Sequence, residues 1–282
     1  MPSVVPAQES NHRWWSANPM AYDRHDGIAH AAGTAEWFVE IDRRFLQSAY
    51  YARGGDGSPF GRFLRSPEVA GRDVLEIGCG MGTHAAMLAR AGARLTAIDL
   101  TSRAVAMTRQ RFALAHLTAR IEEADAERLP FAAGSFDTIW SWGVIHHSRS
   151  TERCLAEIAR VLRPGGRLIA MVYYRRSLVY YVHAAFIKGV LFGRLRRESL
   201  QDIYVSGSDG AYARVFTKHE LRSCLANDFA DVRLTVVGLK PELWPIPRSR
   251  FKVFLERMTP ERVARAVLGR WGSMIVIEAV KS

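Results

Sequence analysis

An α/β fold, a parallel sheet covered by helices on both faces, is predicted by three observations. Short apolar strands and helices alternate regularly from residue 73 to residue 174. A strand, a glycine-rich turn and a helix follow one another over residues 73–91. Acidic residues, Asp99 and Asp125, stand at the ends of the second and third strands. Alternation of this kind implies strands buried on both faces. Ligands of such sheets bind beyond the carboxyl ends of the strands, where Gly78, Asp99, Asp125 and Ser141 converge.

The chain begins with an arm. Trp14 and Trp15 are adjacent near the terminus and costly to leave in water, so this segment is expected to pack on the rest. Thr34 caps a predicted helix running through Ala52, with Trp37, Ile41, Phe45 and Ala49 at helical spacing. Glu40 precedes Arg43 and Arg44 by three and four residues, which supports that helix locally. A glycine-rich loop at 54–59 and a helical turn at 60–64 lead to the core.

Core elements are predicted at 73–78, 83–91, 94–99, 102–116, 119–123, 136–141, 151–162 and 167–174. At the first strand–helix junction, Gly78, Gly80 and Gly82 let the backbone take positive φ and let a ligand approach without meeting a Cβ. The helix that follows aims its free N–H groups into the same space. The dinucleotide fingerprint G-x-G-x-x-G needs glycine at position 83, where Thr83 stands instead.

Beyond Tyr174 the alternation breaks. Residues 177–192 read as an apolar, aromatic helix flanked by Arg175, Arg176, Arg194, Arg196 and Arg197. Thr217 caps a helix from Lys218 to Leu225, with Glu220 completing a capping box. Residues 232–237 read as a sixth strand and 271–280 as the last. Between them lies a basic, proline-punctuated connection with helices near 248–258 and 260–268.

Five ordered matches over residues 74–174 carry a resemblance. Glu76-x-Gly78-x-Gly80-x-Gly82 is followed by Asp99, then by Asp125 ahead of Leu129-Pro130-Phe131. Next come the strand Phe136–Trp140 and the run Arg160-Val161-Leu162-Arg163-Pro164-Gly165-Gly166. This series resembles the class I S-adenosylmethionine-dependent methyltransferases, in particular the type 11 members with small-molecule acceptors. The resemblance implies a Rossmann-like seven-stranded sheet whose last two strands form a hairpin. It implies an N-terminal helical arm or lid (1–66) and a methyltransferase domain (67–282) with insertions near 175–215 and 238–270, the first of them a helical lid. It implies S-adenosyl-L-methionine as cofactor, held by Glu76, Gly78, Cys79, Gly80, Gly82, His84, Asp99, Leu100, Asp125, Ala126, Ser141 and Trp142. Asp99 would meet the ribose and Asp125 the adenine amino group. Trp15 and Tyr22 would line the arm, with Tyr22 near the amino-acid end of the cofactor. His146 and His147 stand where the family faces its substrate and are the candidate catalytic bases, a role suited to a pKa near neutrality.

Composition narrows the partners. Residues 175–215 hold seven Lys/Arg against three Asp/Glu and residues 240–270 hold eight against three, so most of the +11 charge sits on the additions. A hydrophobic or anionic small molecule of natural-product, quinone or lipid-like type is the expected acceptor, methylated on O, N or C. An RNA substrate and a non-methylating cofactor-binding role are the alternatives. No Asn/Asp-Pro-Pro-Tyr/Phe tetrapeptide follows the fourth strand, so nucleic acid is not expected. The apolar helix in 175–197 suits a substrate cover, an oligomer contact or an anionic membrane surface. Three scattered cysteines, no metal-ligand spacing, no secretory pattern at Met1–Pro6 and no apolar run long enough to span a bilayer favour a cytoplasmic, metal-free protein.

Overall fold

The computed structural model describes residues 5–18, 20, 27–207 and 212–282, and Tyr22 lies outside the described residues. The chain opens with α1 (Val5–Ala17) and α2 (Ala35–Ser48). Thr34 Oγ1 accepts from Trp37 N, and Trp37, Phe38, Ile41 and Phe45 form the buried stripe of α2. This helix stops before the predicted Ala52. A 3₁₀ turn at Tyr50–Ala52 replaces its last turn, and its tighter winding brings Tyr50 and Tyr51 into the core. A short α3 (Ser66–Val69) follows.

The alternating region contains β1 (Asp73–Ile77), α4 (Thr83–Arg90), β2 (Arg94–Asp99), α5 (Ser102–Leu114), β3 (Arg120–Glu123), β4 (Phe136–Trp142), α6 (Thr151–Val161) and β5 (Leu162–Tyr174). A π-helix at Val179–Leu191 follows, then α7 (Leu200–Val205), β6 (Val215–Phe216), α8 (Lys218–Leu225) and β7 (Phe229–Val237). The chain ends with α9 (Arg250–Met258), α10 (Glu261–Trp271) and β8 (Met274–Lys281). The wider π repeat replaces the expected α-helix in a stretch whose β-branched and aromatic residues, Val179 to Val182, are poor α-helix formers.

The sheet runs β3-β2-β1-β4-β5-β8-β7, with β8 antiparallel to both neighbours. These are the seven expected strands. An eighth, the two-residue β6, pairs with the end of β5 through Tyr173 and Tyr174 and corrects the count. Strand residues alternate between two cores, as the pleat requires. Val74, Trp140, Ile169 and Val276 face α4, α5 and α10. Leu75, Ile139, Leu168 and Ile277 face α6 and α8. Each fully buried aliphatic side chain contributes about 1.5–3 kcal/mol, against about 0–1 kcal/mol for an exposed ion pair, so the two cores dominate.

The long insertion between β7 and β8 leaves their hairpin intact, with Val236 opposite Ile275 and Val237 opposite Met274. Its two ends approach so closely that a Cβ on Gly272 would lie 2.2 Å from Val237 O. The last strand therefore starts at Met274, and Trp271 closes α10 instead.

Candidate active site

The carboxyl ends of β1 to β4 open onto one cavity of about 530 Å³, within the roughly 300–1,000 Å³ range of small-molecule sites. Gly78, Cys79 and Gly80 line one end of it. Gly78 N and Cys79 N both donate to Ile98 O, at 2.8 and 2.9 Å, which pins the turn to β2. A Cβ on Gly80 would meet nothing within 4 Å, so the backbone there fronts open space.

Asp99 joins the strand tip to this turn. It accepts from Gly80 N, Thr101 N and Thr101 Oγ1, each at 3.0 Å. Burial raises its pKa, and these donors oppose the rise. Asp125 accepts from Glu127 N at 2.9 Å, a local turn that sets Ala124, Asp125 and Ala126 on the cavity wall. His84, Leu100 and Trp142 complete this side. The His84 ring sits among Phe45, Phe60 and Trp142, and burial, then the Arg111 charge, lowers its pKa to about 3.

Four predicted residues do not line the cavity. Glu76 is 1% exposed, behind the turn, with Oε2 unpartnered. Burial, then the Asp99 charge, pushes its pKa well above the usual carboxylate range. Gly82 is the N-cap of α4 and packs toward Thr108 and Arg111. Ser141 is fully buried on β4 with an unpartnered Oγ.

The fourth is His146, and it separates from its neighbour. His146 is fully buried against Tyr173, neither ring nitrogen has a partner, and burial holds its pKa well below the ordinary value. It does not line the cavity. His147 does line the cavity. Its Nδ1 lies 2.7 Å from Tyr212 O, so Nδ1 carries the proton and Nε2 keeps the lone pair. Burial lowers its pKa to about 4, the carbonyl opposing, so the ring is neutral at physiological pH.

The arm is anchored to the site at two places. Asn11, 2% exposed, donates to His147 O and accepts from Tyr212 N at 2.9 Å. That contact holds Trp15 on the cavity wall, 5.3 Å from the His147 ring. Arg111, 3% exposed, pairs with Asp42 of α2 and donates to Met81 O and Thr83 Oγ1. Thr83 Oγ1 donates to the same carboxylate at 2.9 Å. One buried cation thus fastens α2, α5 and the glycine turn together.

The far end of the cavity is a wall that sequence reasoning missed. Tyr51, Met171 and Tyr173 line it from the core, His183 and Lys188 from the π-helix, and Glu242 from the second insertion. Glu242, 7% exposed, accepts from Leu239 N at 2.6 Å and from Ser273 N and Oγ at 2.8 Å. Leu239 has no side-chain acceptor, so only the half of a capping box that runs from Leu239 N to Glu242 is formed and the sequence does not announce it. Burial raises its pKa to about 7 despite those donors. A carboxyl whose folded pKa is raised stabilises the fold below its unfolded pKa and loses that contribution as pH rises through the folded one. Thermal unfolding of Glu242→Gln from about pH 5 to about pH 8 should therefore lack a decline of about 3 kcal/mol that the parent shows. Parallel pH curves would contradict the buried setting of Glu242.

Part of the chain matches known proteins. Residues 75–170 match the family model described as a methyltransferase domain. Methyltransferase GfsG of Streptomyces halstedii is 37% identical over 123 residues, 43% of this chain and 44% of that protein. The 27-O-demethylrifamycin SV methyltransferase of Amycolatopsis mediterranei is 38% identical over 105 residues, 36% of this chain and 39% of that one. Demethylmenaquinone methyltransferase of Tropheryma whipplei is 33% identical over 124 residues, 43% and 51% of the two chains. The match thus spans about half or less of each relative. Among solved structures, a methyltransferase from Thermotoga maritima superposes with TM-score 0.51 at 21% identity, covering 88% of this chain and 98% of its own. The cyclase SpnF superposes with TM-score 0.51 at 19% identity, covering 99% and 92%. These two likenesses bear on the fold alone. With the sheet order and the glycine turn, the matched residues 75–170 form a class I S-adenosylmethionine-dependent methyltransferase domain.

Proposed function

We propose that the chain transfers a methyl group from S-adenosylmethionine to a hydrophobic small molecule. The observation that carries this reading is the single cavity joining the glycine turn and the two strand-tip acids to an aromatic and apolar wall. Gly78, Cys79 and Gly80 would take the amino-acid end of the cofactor, Asp99 the ribose hydroxyls and Asp125 the adenine. The open space in front of Gly80 fits a ligand that touches backbone there. When bound, the cofactor supplies a methyl group already activated by its sulfonium.

What remains for the protein is to hold the acceptor in line and keep water out. Trp15 and Asn11 from α1 and the inner side of the π-helix enclose the far end. A hydroxyl or enol acceptor sheds a proton as the methyl arrives. Two cavity groups are suited to take it: Nε2 of His147 and the Glu242 carboxylate, whose pKa of about 7 matches neutral conditions better. Relatives named for methylating 27-O-demethylrifamycin SV and demethylmenaquinone support an acceptor of the small-molecule class.

The test is methyl transfer from cofactor labelled in the methyl group to a panel of quinols, phenols and polyketide alcohols, with transfer RNA alongside. Label in an organic-soluble product is expected. Label in the RNA alone would reassign the acceptor, and cofactor binding with no transfer to any of them would favour a non-methylating role.

A further inference from the structure

The exposed apolar side chains are not scattered. Among the described residues, thirteen of the fifteen large exposed hydrophobics lie between Tyr181 and Trp271, and most belong to the two insertions. On the first insertion, Phe186, Val190, Leu191, Phe192 and Leu195 face solvent, Phe192 at 75%. On α9, Phe251, Phe254 and Met258 recur at helical spacing, and α9 has no buried residue at all. A monomer rarely leaves this much apolar surface bare without a use for it.

The two faces are neighbours. His183 and Lys188 of the π-helix and Glu242 of the second insertion line the same cavity, and Lys240 and Trp244 beside Glu242 bond to Thr259 at the end of α9. Exposed cations border both: Arg196 and Arg197 beside Leu195, Arg250 and Arg257 on α9. No ion pair holds these four among the described residues, whereas Arg175 and Arg194 are tied to Glu220 and Glu198. No helix among the described residues is long and apolar enough to cross a membrane. Apolar side chains rimmed by unpaired arginines on short helices match the interface of an anionic bilayer, where acyl chains take the former and headgroup phosphates the latter.

We propose that the π-helix and α9 form one docking surface for an anionic phospholipid membrane. The inner side of the same π-helix, through Val179, His183, Ala184 and Lys188, lines the cavity, so docking sets the acceptor end of the site against the lipid. Docking needs neither cofactor nor acceptor, so it stands or falls separately from the methyl-transfer proposal.

Flotation with phosphatidylglycerol-containing vesicles, compared with pure phosphatidylcholine vesicles, tests it. The intact chain should float with the anionic vesicles and lose most binding at high salt. Combined Phe192→Ser, Phe251→Ser and Phe254→Ser should weaken binding about tenfold or more, and so, separately, should combined Arg196→Glu, Arg197→Glu and Arg250→Glu. All six positions are exposed, and unchanged thermal unfolding will verify that both variants fold. Absence of flotation, equal binding to neutral vesicles, or parental binding by both variants would overturn the proposal. So would a parental dimer in light scattering that the Phe→Ser variant converts to monomer, since the face would then belong to a second copy.

Discussion

Asp99→Ala should weaken binding of S-adenosylhomocysteine by about 1–3 kcal/mol, roughly fivefold to 160-fold, in calorimetric titration. Two losses combine. The carboxylate that would accept the ribose hydroxyls disappears, and Gly80 N loses the acceptor that fixes the turn at 3.0 Å. Asp99→Asn keeps an oxygen for Gly80 N or for Thr101 but not both, since they reach different carboxylate oxygens, and it removes the charge, so it should fall between parent and alanine variant. Parental affinity in Asp99→Ala would mean that the end of β2 does not face the adenosine.

Gly78→Ala should destabilise the fold by about 2–4 kcal/mol and impair cofactor binding with it. Gly78 has φ of 82°, in the left-handed region, and its Cβ would lie 2.2 Å from Val144 Cγ2. The first cost is about 1–2 kcal/mol for an L residue. The second arises because a β-branched side chain has few rotamers into which to retreat. Adding Val144→Ala should relieve the collision and leave the backbone cost, so the double variant is expected to be the more stable of the two. Identical unfolding of Gly78→Ala and the parent would show that the turn does not need glycine there.

The sequence made the central strands and the glycine turn legible because their signals are local. Apolar runs end at glycines or acids, and the parity of each strand assigns its side chains to opposite cores. Thr217 and Glu220 announced α8 for the same reason, and both bonds of that capping box are present, at 3.2 and 2.6 Å. What escaped depends on residues far apart in the chain. The burial of Glu242 requires Ser273, thirty-one positions away, and the closing of the insertion between them. The two rings lie only 4.2 Å apart and both touch Tyr173, and what separates them is that His147 reaches Tyr212 O and the cavity whereas His146 stays behind it. Nothing in two consecutive histidines distinguishes them. The anchoring of α2 by Arg111 is a similar case, because its partners come from two segments, α2 and the glycine turn, that meet only in the folded chain.

The acidic residue of the first motif illustrates the limit of a resemblance. Glu76 occupies the matching position, yet here it is buried behind the turn and held toward its neutral form by burial and by Asp99.

The most direct test is titration of the purified, unaltered chain with S-adenosylmethionine and S-adenosylhomocysteine. Saturable binding of both at one site per chain, weakened by Asp99→Ala, is the expected result. Absence of heat or saturation with either, from a protein shown to be folded, would contradict the assignment of the glycine turn and the two strand-tip acids to a single adenosyl site.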